Sequence, residues 1–160
     1  MDVVRTPWRS AYVTRSLKGE ACVFCVAPSD ASAPESLVVH MGDLAFVVMN
    51  LYPYNAGHVM VAPRRHVGTL GEASSAELAE VMGLAQRLEG ILGEVYKPDG
   101  VNVGMNLGRT AGAGVLGHIH LHVVPRWSGD TNFMTVVGET RVHPEELKTT
   151  YNKLKKALTQ

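Results

Sequence analysis

Three histidines that alternate with aliphatic residues constrain the fold more than any other feature of this chain. They lie in the stretch G-H-I-H-L-H-V-V-P-R-W, where His118, His120 and His122 are separated by single aliphatic residues. Successive side chains of a β-strand point to opposite faces, whereas a helix would scatter three such imidazoles around its surface. The pattern therefore predicts a strand over 118–124, ended by Pro125, with the imidazoles on one face and aliphatic side chains on the other.

The remaining chain predicts further strands and two helices. Apolar runs bounded by Pro, Gly and Asn predict strands over 37–40, 44–49, 58–62 and 101–106. Ser74 and Glu77 fit a capping box that opens one long helix ending near Tyr96, and a C-terminal helix is predicted over 144–158.

Short strands joined by tight turns, with few helices, indicate an α+β fold whose sheet is mostly antiparallel. The length of 160 residues, without a repeat or an obvious linker, suits a single domain over 1–160 that includes an N-terminal arm over 1–20.

The charge balance excludes several kinds of partner. Lys and Arg number 15, as do Asp and Glu, so the chain carries no excess of positive charge for nucleic acid or an anionic membrane. No apolar run approaches the roughly 18 residues that span a bilayer, and the first fifteen residues lack the apolar core of a signal peptide. We expect a cytoplasmic protein that binds neither nucleic acid nor membrane.

The two cysteines, Cys22 and Cys25, form the motif C-V-F-C. A C-x-x-C pair is a common half of a zinc site, and in a reducing cytoplasm it indicates metal binding or redox chemistry before a structural disulfide. No thioredoxin-like βαβ pattern surrounds the motif, so metal binding is the preferred interpretation and redox chemistry the alternative.

The alternating histidines leave two kinds of chemistry to compare. A catalytic metal site made by all three is disfavoured, because a strand rise of about 3.3 Å per residue separates the first and last by roughly 13 Å. Phosphate chemistry fits better, since a neutral imidazole offers a lone pair near pH 7 and can split one displacement into two. The glycine-rich segment L-G-R-T-A-G-A-G just upstream would let backbone N–H groups approach phosphate oxygens.

Together these motifs resemble the histidine-triad family. The resemblance covers about Thr6 to Asp130 and beyond, and rests on P-W-R near the N-terminus, C-V-F-C, G-H-V-M-V-A-P-R-R-H, the Asn- and glycine-rich segment, H-I-H-L-H-V-V and V-P-R-W-S-G-D-T-N-F-M. It is strongest to bacterial members related to fragile-histidine-triad hydrolases and diadenosine-tetraphosphate phosphorylase. The resemblance implies a HIT-like fold, a homodimer with the long helix at its interface, and cleavage of a dinucleoside polyphosphate or another adenylyl compound at the α-phosphate.

The resemblance also implies a role for individual residues. His120 is the nucleophile that carries the nucleotidyl group, His122 binds phosphate oxygens or the leaving group, and His118 completes the triad. The implied substrate-binding positions are Asn50 near the ribose, His58 near the α-phosphate, Asn106, Gly112, Ala113 and Gly114. The implied ligands of a closed, structural zinc site are Cys22, Cys25, His66 and His118. No organic cofactor is implied.

One departure from the pattern concerns the second substrate. The related phosphorylases favour a Gly-Ser pair where this chain has Ala113 and Gly114. Losing that hydroxyl removes a candidate ligand for phosphate, which favours hydrolysis or transfer to another acceptor and leaves phosphorolysis as the alternative. A nucleotide-binding module without significant catalysis is a further alternative, which the complete triad disfavours.

Overall fold

A computed structural model describes residues 21–31, 33–131 and 145–159, so the predicted N-terminal arm lies outside the described residues. Three α-helices are present in these ranges: α1 (Val23–Val26), α2 (Ser75–Tyr96) and α3 (Leu147–Leu158). The strands are β1 (Val38–Met41), β2 (Ala45–Met49), β3 (Val59–Pro63), β4 (Gly100–Met105) and β5 (Leu121–Arg126). None of the described helices has the length and apolar content needed to cross a membrane.

The five strands form one antiparallel sheet in the order β1-β2-β3-β5-β4. The predicted α+β fold with an antiparallel sheet is thus confirmed, and four strands lie within one residue of their predicted ends. A tight turn joins β1 to β2, where the N–H of Gly42 donates to the carbonyl of Ala45 at 2.9 Å. Because β5 is inserted between β3 and β4, the end of the histidine row lies in the interior of the sheet.

The sheet is apolar on both faces. One face packs against α2 and α3 and includes Leu121 and Val123 of β5. The opposite face carries a smaller cluster that includes Phe24 of α1 and Met60 of β3. Since β-strand side chains alternate, the histidines are left on this second, less covered face.

The long helix α2 begins and ends as its sequence predicts. Ser74 Oγ accepts the N–H of Glu77 at 3.2 Å, and the Glu77 carboxylate accepts the N–H of Ser74 at 2.7 Å, which completes the capping box. After Tyr96 the chain leaves the helix through Lys97, whose φ of 47° is left-handed and whose N–H donates to the Gly93 carbonyl.

The predicted strand over 118–124 was wrong at both ends. His118 and His120 precede β5, because β4 ends opposite Leu121 and β3 pairs with β5 only over 121–123. The N–H of Ile119 instead donates to the Val67 carbonyl at 2.8 Å. At the other end Pro125 lies within β5 and pairs with Val101 of β4. Pairing with β3 ends at Val123, so no backbone N–H is needed on that side of residue 125 and a proline is tolerated there.

The C-terminal helix also starts later than predicted, at Leu147 rather than residue 144. Glu145 precedes the helix and accepts hydrogen bonds from the hydroxyls of Tyr96 and Thr150, both at 2.6 Å. It also pairs with Lys153. This carboxylate ties the start of α3 to the end of α2.

Candidate active site

The imidazole row keeps its alternation although only His122 lies in a strand. His118 and His120 are buried, His122 is half-buried, and the intervening Ile119 and Leu121 are buried. The ring centroids of His120 and His122 are 4.9 Å apart in an edge-to-face arrangement. The rings are therefore close neighbours, but their nitrogens have different partners.

His118 is fixed at both ring nitrogens. Its Nε2–H donates to the carbonyl of Pro63 at 2.8 Å, so Nδ1 carries the lone pair. That nitrogen faces the sulfurs of Cys22 and Cys25, each 3.6 Å away. A ring nitrogen held by a carbonyl while the other faces thiols is the usual second-sphere arrangement of a metal-binding histidine.

Four candidate ligand atoms meet around His118. Cys22, Cys25, His66 and His118 each offer one atom, and all four atoms lie within 4.8 Å of one another. His66 Nδ1 is 3.2 Å from Cys25 Sγ. Zinc bonds of about 2.0–2.3 Å in a tetrahedron put ligand atoms roughly 3.5 Å apart, so small side-chain shifts bring this donor set to the separations that zinc needs. The four residues implied by sequence are thus brought together.

Two local features build this cluster. Gly117 leaves room for the imidazole of His66, because a Cβ at that position would lie 3.1 Å from Nε2. Burial alone would raise the pKa of the Cys22 thiol, but the neighbouring His118 ring and the backbone N–H groups of Phe24 and Cys25 lower that pKa to about 6. Burial and the adjacent Cys22 raise the pKa of Cys25. A thiolate beside imidazole nitrogens is a suitable donor set for a divalent metal.

His120 has a different restraint. Its Nδ1–H donates to the carbonyl of His118 at 2.9 Å, which leaves the lone pair on Nε2. Burial lowers the pKa of His120, and this bond to the carbonyl partly opposes the effect. The imidazole is therefore held neutral near pH 7, in the tautomer whose Nε2 can act as a nucleophile.

His122 is paired with His58. The backbone N–H of Tyr54 donates to His58 Nδ1 at 3.0 Å, so the proton of His58 lies on Nε2. That Nε2–H donates to His122 Nδ1 at 2.9 Å, which puts the proton of neutral His122 on its own Nε2. Neighbouring members of the row therefore present opposite chemistry, a lone pair on His120 and an N–H on His122.

The loop before β3 carries these partners and is braced from β5. The amide of Asn55 donates to the carbonyl of Pro125 at 3.0 Å and to Asp130 at 2.7 Å. Asp130 also accepts two hydrogen bonds from Arg126, at 2.6 and 2.8 Å, and these contacts hold the pKa of its carboxyl well below the usual range. Arg126 is thus committed to an ion pair.

The implied substrate-binding residues lie on two chain segments next to the imidazoles of His58 and His120. Asn50 donates its N–H to the His58 carbonyl, while its side-chain oxygen accepts the N–H of Tyr52. Asn106 follows Met105, the last residue of β4, directly across from the segment that carries His120. A Cβ on Gly112 would lie 3.9 Å from the Asn106 amide nitrogen, so these two positions are adjacent.

The glycine-rich loop has a defined internal geometry. The N–H groups of Gly112 and Ala113 donate to the carbonyls of Arg109 and Gly108, at 3.0 and 3.2 Å. Gly108 and Gly112 adopt φ values of 86° and 92°, which L side chains rarely adopt. Two of the expected backbone donors are thus engaged within the loop, and a role for Gly112, Ala113 or Gly114 at phosphate stays a prediction.

Two aromatic residues near the row were missed by the sequence analysis. Phe24 lies between the two cysteines, and its ring contacts those of His118 and His120. Tyr54 packs its ring 4.6 Å from His58 and 5.9 Å from His122. A single aromatic residue within a C-x-x-C motif was the available signal for Phe24, whereas nothing in the sequence indicated where Tyr54 would pack.

Comparison with known proteins adds three findings. Residues 32–129 match the family described as HIT domain. The AP-4-A phosphorylase of Mycobacterium tuberculosis is 47% identical over 119 residues, which cover 74% of this chain and 61% of that protein. The bis(5'-adenosyl)-triphosphatase of Dictyostelium discoideum is 32% identical over 92 residues, covering 58% of this chain and 61% of that protein. The chain thus spans less than two thirds of the length of either relative.

Solved structures share the fold. The crystal structure of a Zn-bound histidine triad family protein from Mycobacterium smegmatis has a TM-score of 0.69 at 27% identity. The match covers 91% of this chain and 96% of that one. The fold expected from the resemblance is therefore confirmed.

Proposed function

The chain belongs to the HIT domain family, and on that premise we propose that it is a nucleotidyl hydrolase or transferase. Its substrate is a dinucleoside polyphosphate or another adenylyl compound, cleaved at the α-phosphate through a nucleotidyl-His120 intermediate. The observation that carries the proposal is the opposite hydrogen-bond ordering of two adjacent imidazoles, with a lone pair on Nε2 of His120 and a proton on Nε2 of His122. The names of the two enzymes that it resembles support the substrate class.

The first step follows from that ordering. Nε2 of His120 attacks the α-phosphorus, a P–N bond forms and the bond to the leaving phosphate oxygen breaks. The imidazole then carries positive charge, which the His118 carbonyl stabilises through the Nδ1–H bond at 2.9 Å. His122 donates a hydrogen bond from Nε2 to the departing oxygen, which leaves as a phosphate anion, and His58 keeps His122 in the tautomer that can do so.

The second step returns the free enzyme. An acceptor oxygen attacks the same phosphorus, the P–N bond breaks and restores the lone pair of His120, and a proton of the attacking water passes to solvent. Water as acceptor gives hydrolysis, and inorganic phosphate gives phosphorolysis. We propose water, because Ala113 and Gly114 offer no side-chain hydroxyl to hold phosphate. Phosphorolysis is the second candidate, which the 47% identity to an AP-4-A phosphorylase favours.

One product analysis tests these steps. Diadenosine tetraphosphate is incubated with the protein, with and without inorganic phosphate, and nucleotides are separated by chromatography. AMP with ATP in the absence of phosphate is the expected result. ADP with ATP only in the presence of phosphate would select phosphorolysis. Two ADP without phosphate would contradict cleavage at the α-phosphate, and nucleotide binding without any product would select the binding module.

We further propose a structural zinc at Cys22, Cys25, His66 and His118. The donor distances and the bond from His118 Nε2 to Pro63 support it, as does the likeness to a Zn-bound family protein. All four coordination positions would be filled by the protein, so the ion would anchor the chain and take no part in the reaction.

A homodimer is the last element of the proposal. β4 is an edge strand, and Val103 on it has 49% of its surface exposed. Met82 on the outer side of α2 is 55% exposed. Unpaired strand edges and exposed apolar side chains favour a partner. Sedimentation of the wild type and of Val103→Asp tests the dimer, since a monomeric wild type would contradict it.

Cys22 and Cys25 form no disulfide with each other, which suits a reducing compartment and supports a cytoplasmic location.

A further inference from the structure

Phe24 connects the cysteine pair to the imidazole row. It is the single buried residue of α1, with 2% of its surface exposed, while Val23 and Val26 on the same helix are about half exposed. Its ring centroid lies 4.6 Å from that of His120, with the two planes inclined by 32°. The His118 ring lies 5.4 Å away, inclined by 54°. The phenyl group thus covers one face of the His120 imidazole.

The cysteine motif delivers this ring. The carbonyl of Cys22 accepts the N–H groups of Cys25 and Val26 at 2.9 and 3.0 Å, so the motif is one tight helical turn. Both sulfurs point toward His118 on one side of that turn. The phenyl group between them enters the cluster on the histidine face of the sheet, beside Met60 and Val115. Holding the two cysteines therefore also holds the ring.

The hydrogen bond of His120 leaves one motion open. The bond from Nδ1–H to the His118 carbonyl holds one edge of the imidazole, but a single hydrogen bond can break and let the ring swing about its Cβ–Cγ bond. A phenyl group packed against one face blocks that swing. In-line attack on phosphorus needs the Nε2 lone pair held in one direction, and small misplacement of a reacting group lowers the rate strongly.

We propose that Phe24 is a positioning residue for the reaction, whose ring fixes the plane of the His120 imidazole so that Nε2 is aimed at the α-phosphorus. This inference rests on the proposed nucleotidyl transfer. It gives the C-V-F-C motif a second task beside the proposed zinc site, since the same turn that supplies two ligands also orients the nucleophile.

The test compares Phe24→Leu, which keeps an apolar side chain but loses the ring, with Phe24→Tyr, which keeps the ring. Val23→Ala is the matched control, because it changes an exposed side chain of the same turn. For each protein we would measure the single-turnover rate of nucleotidyl-His120 formation, KM, and zinc per chain. We expect Phe24→Leu to slow formation about 10- to 100-fold with KM and zinc content unchanged. Phe24→Tyr and Val23→Ala should stay close to the wild type.

Three results would overturn the proposal. Phe24→Leu could form the intermediate at the wild-type rate, or its KM could rise while the rate of formation stays constant. Phe24→Leu and Phe24→Tyr could also lose zinc and activity together, which would make the residue part of the metal cluster only.

A second measurement needs no turnover. The ¹⁵N spectra of the histidine rings report which nitrogen carries the proton, and wild-type His120 should show the single Nδ1–H form. In Phe24→Leu we expect averaged signals, because a swinging ring breaks its bond to the carbonyl. Identical spectra in both proteins would contradict the proposal. If the wild type forms no nucleotidyl-histidine, the proposed function fails while these spectra still decide the role of Phe24.

Discussion

The two ends of the histidine row differ in what their ring nitrogens bind. At one end His118 is held between the Pro63 carbonyl and two thiols, and it is fully buried. At the other end His122 is half-buried and its partner is the imidazole of His58. His118 and His122, four positions apart, thus belong to two different groups. His118 is part of a cluster suited to a metal, and His122 is part of a pair suited to hydrogen-bond donation.

The comparison shows that the partner, more than the residue, sets the chemistry of an imidazole. A carbonyl partner fixes the proton on one nitrogen and leaves a lone pair on the other, as in His118 and His120. A ring partner that donates has the opposite result, as in His122. His120 lies between the two. The carbonyl of His118 orients its ring, and His122 on the other side is the proposed donor to the leaving group.

Replacing His120 should have the largest effect. The change His120→Ala removes the nucleophile, so we expect the rate of substrate cleavage to fall by on the order of 10³-fold or more while nucleotide binding persists. Quenched reactions analysed by intact-protein mass should show a nucleotidyl adduct in the wild type and none in the variant. His40→Gln, a change in β1 away from the row, is the control. An undiminished rate in His120→Ala would remove the covalent mechanism.

Removing one of the proposed zinc ligands should mainly lower the stability of the fold. In Cys22→Ser we expect zinc content to fall and Tm to drop by roughly 10 °C, corresponding to about 3 kcal/mol for a domain of this size. Activity should fall less than in His120→Ala, because the nucleophile is still present. Metal analysis and thermal melts measure the two quantities, with Val23→Ala as control. Well under one zinc per chain in the wild type, with the same Tm in Cys22→Ser, would contradict the proposed site.

Breaking the other end should lower the rate with little loss of stability. In His58→Leu the donor to His122 disappears, and losing one hydrogen bond in the reaction corresponds to about a tenfold lower kcat. His58→Gln keeps an amide donor and should recover part of that loss. The pH profile of kcat gives the same comparison, because His122 without its partner is no longer held in one tautomer. Equal kcat in His58→Leu and the wild type would show that the pair has no part in the reaction.

The sequence predicted elements whose signals are local. The capping box of Ser74 and Glu77 and the ends of the first four strands depend on short motifs, and the structure contains each of them. The set of four metal-type ligands came from the family resemblance, and the structure brings these residues together. The start of β5 was missed because it depends on where β3 and β4 stop pairing, which the histidine alternation does not encode. The contact of Phe24 with His120 was missed for the same reason, since it joins residues far apart in the chain.

Each end of the row also has a buttressing ion pair, and these should give the smallest effects. On the side of His66, Arg65 donates two hydrogen bonds to the Glu77 carboxylate, at 2.8 and 3.0 Å. These bonds, together with the bond from the Ser74 N–H, lower the pKa of Glu77 to about 2. On the side of His58, the pair of Arg126 and Asp130 braces Asn55. Each pair should support its own end and leave the other unchanged.

A carboxyl whose folded pKa lies below its unfolded value stabilises the fold above the unfolded pKa, and this contribution is lost as pH falls toward the folded pKa. For Glu77 the window runs from about 4.5, its ordinary value, down to about 2. We expect Glu77→Gln to lower Tm by about 2–4 °C at pH 7, and the difference from the wild type to shrink as pH falls through that window. Thermal melts across pH measure this difference in Tm.

Asp130→Asn is the matched variant at the other end of the row. It alone should also lower kcat, because Asn55 and the loop that carries His58 lose their brace. A lower kcat in Glu77→Gln with an unchanged kcat in Asp130→Asn would reverse the assignment of the two ends.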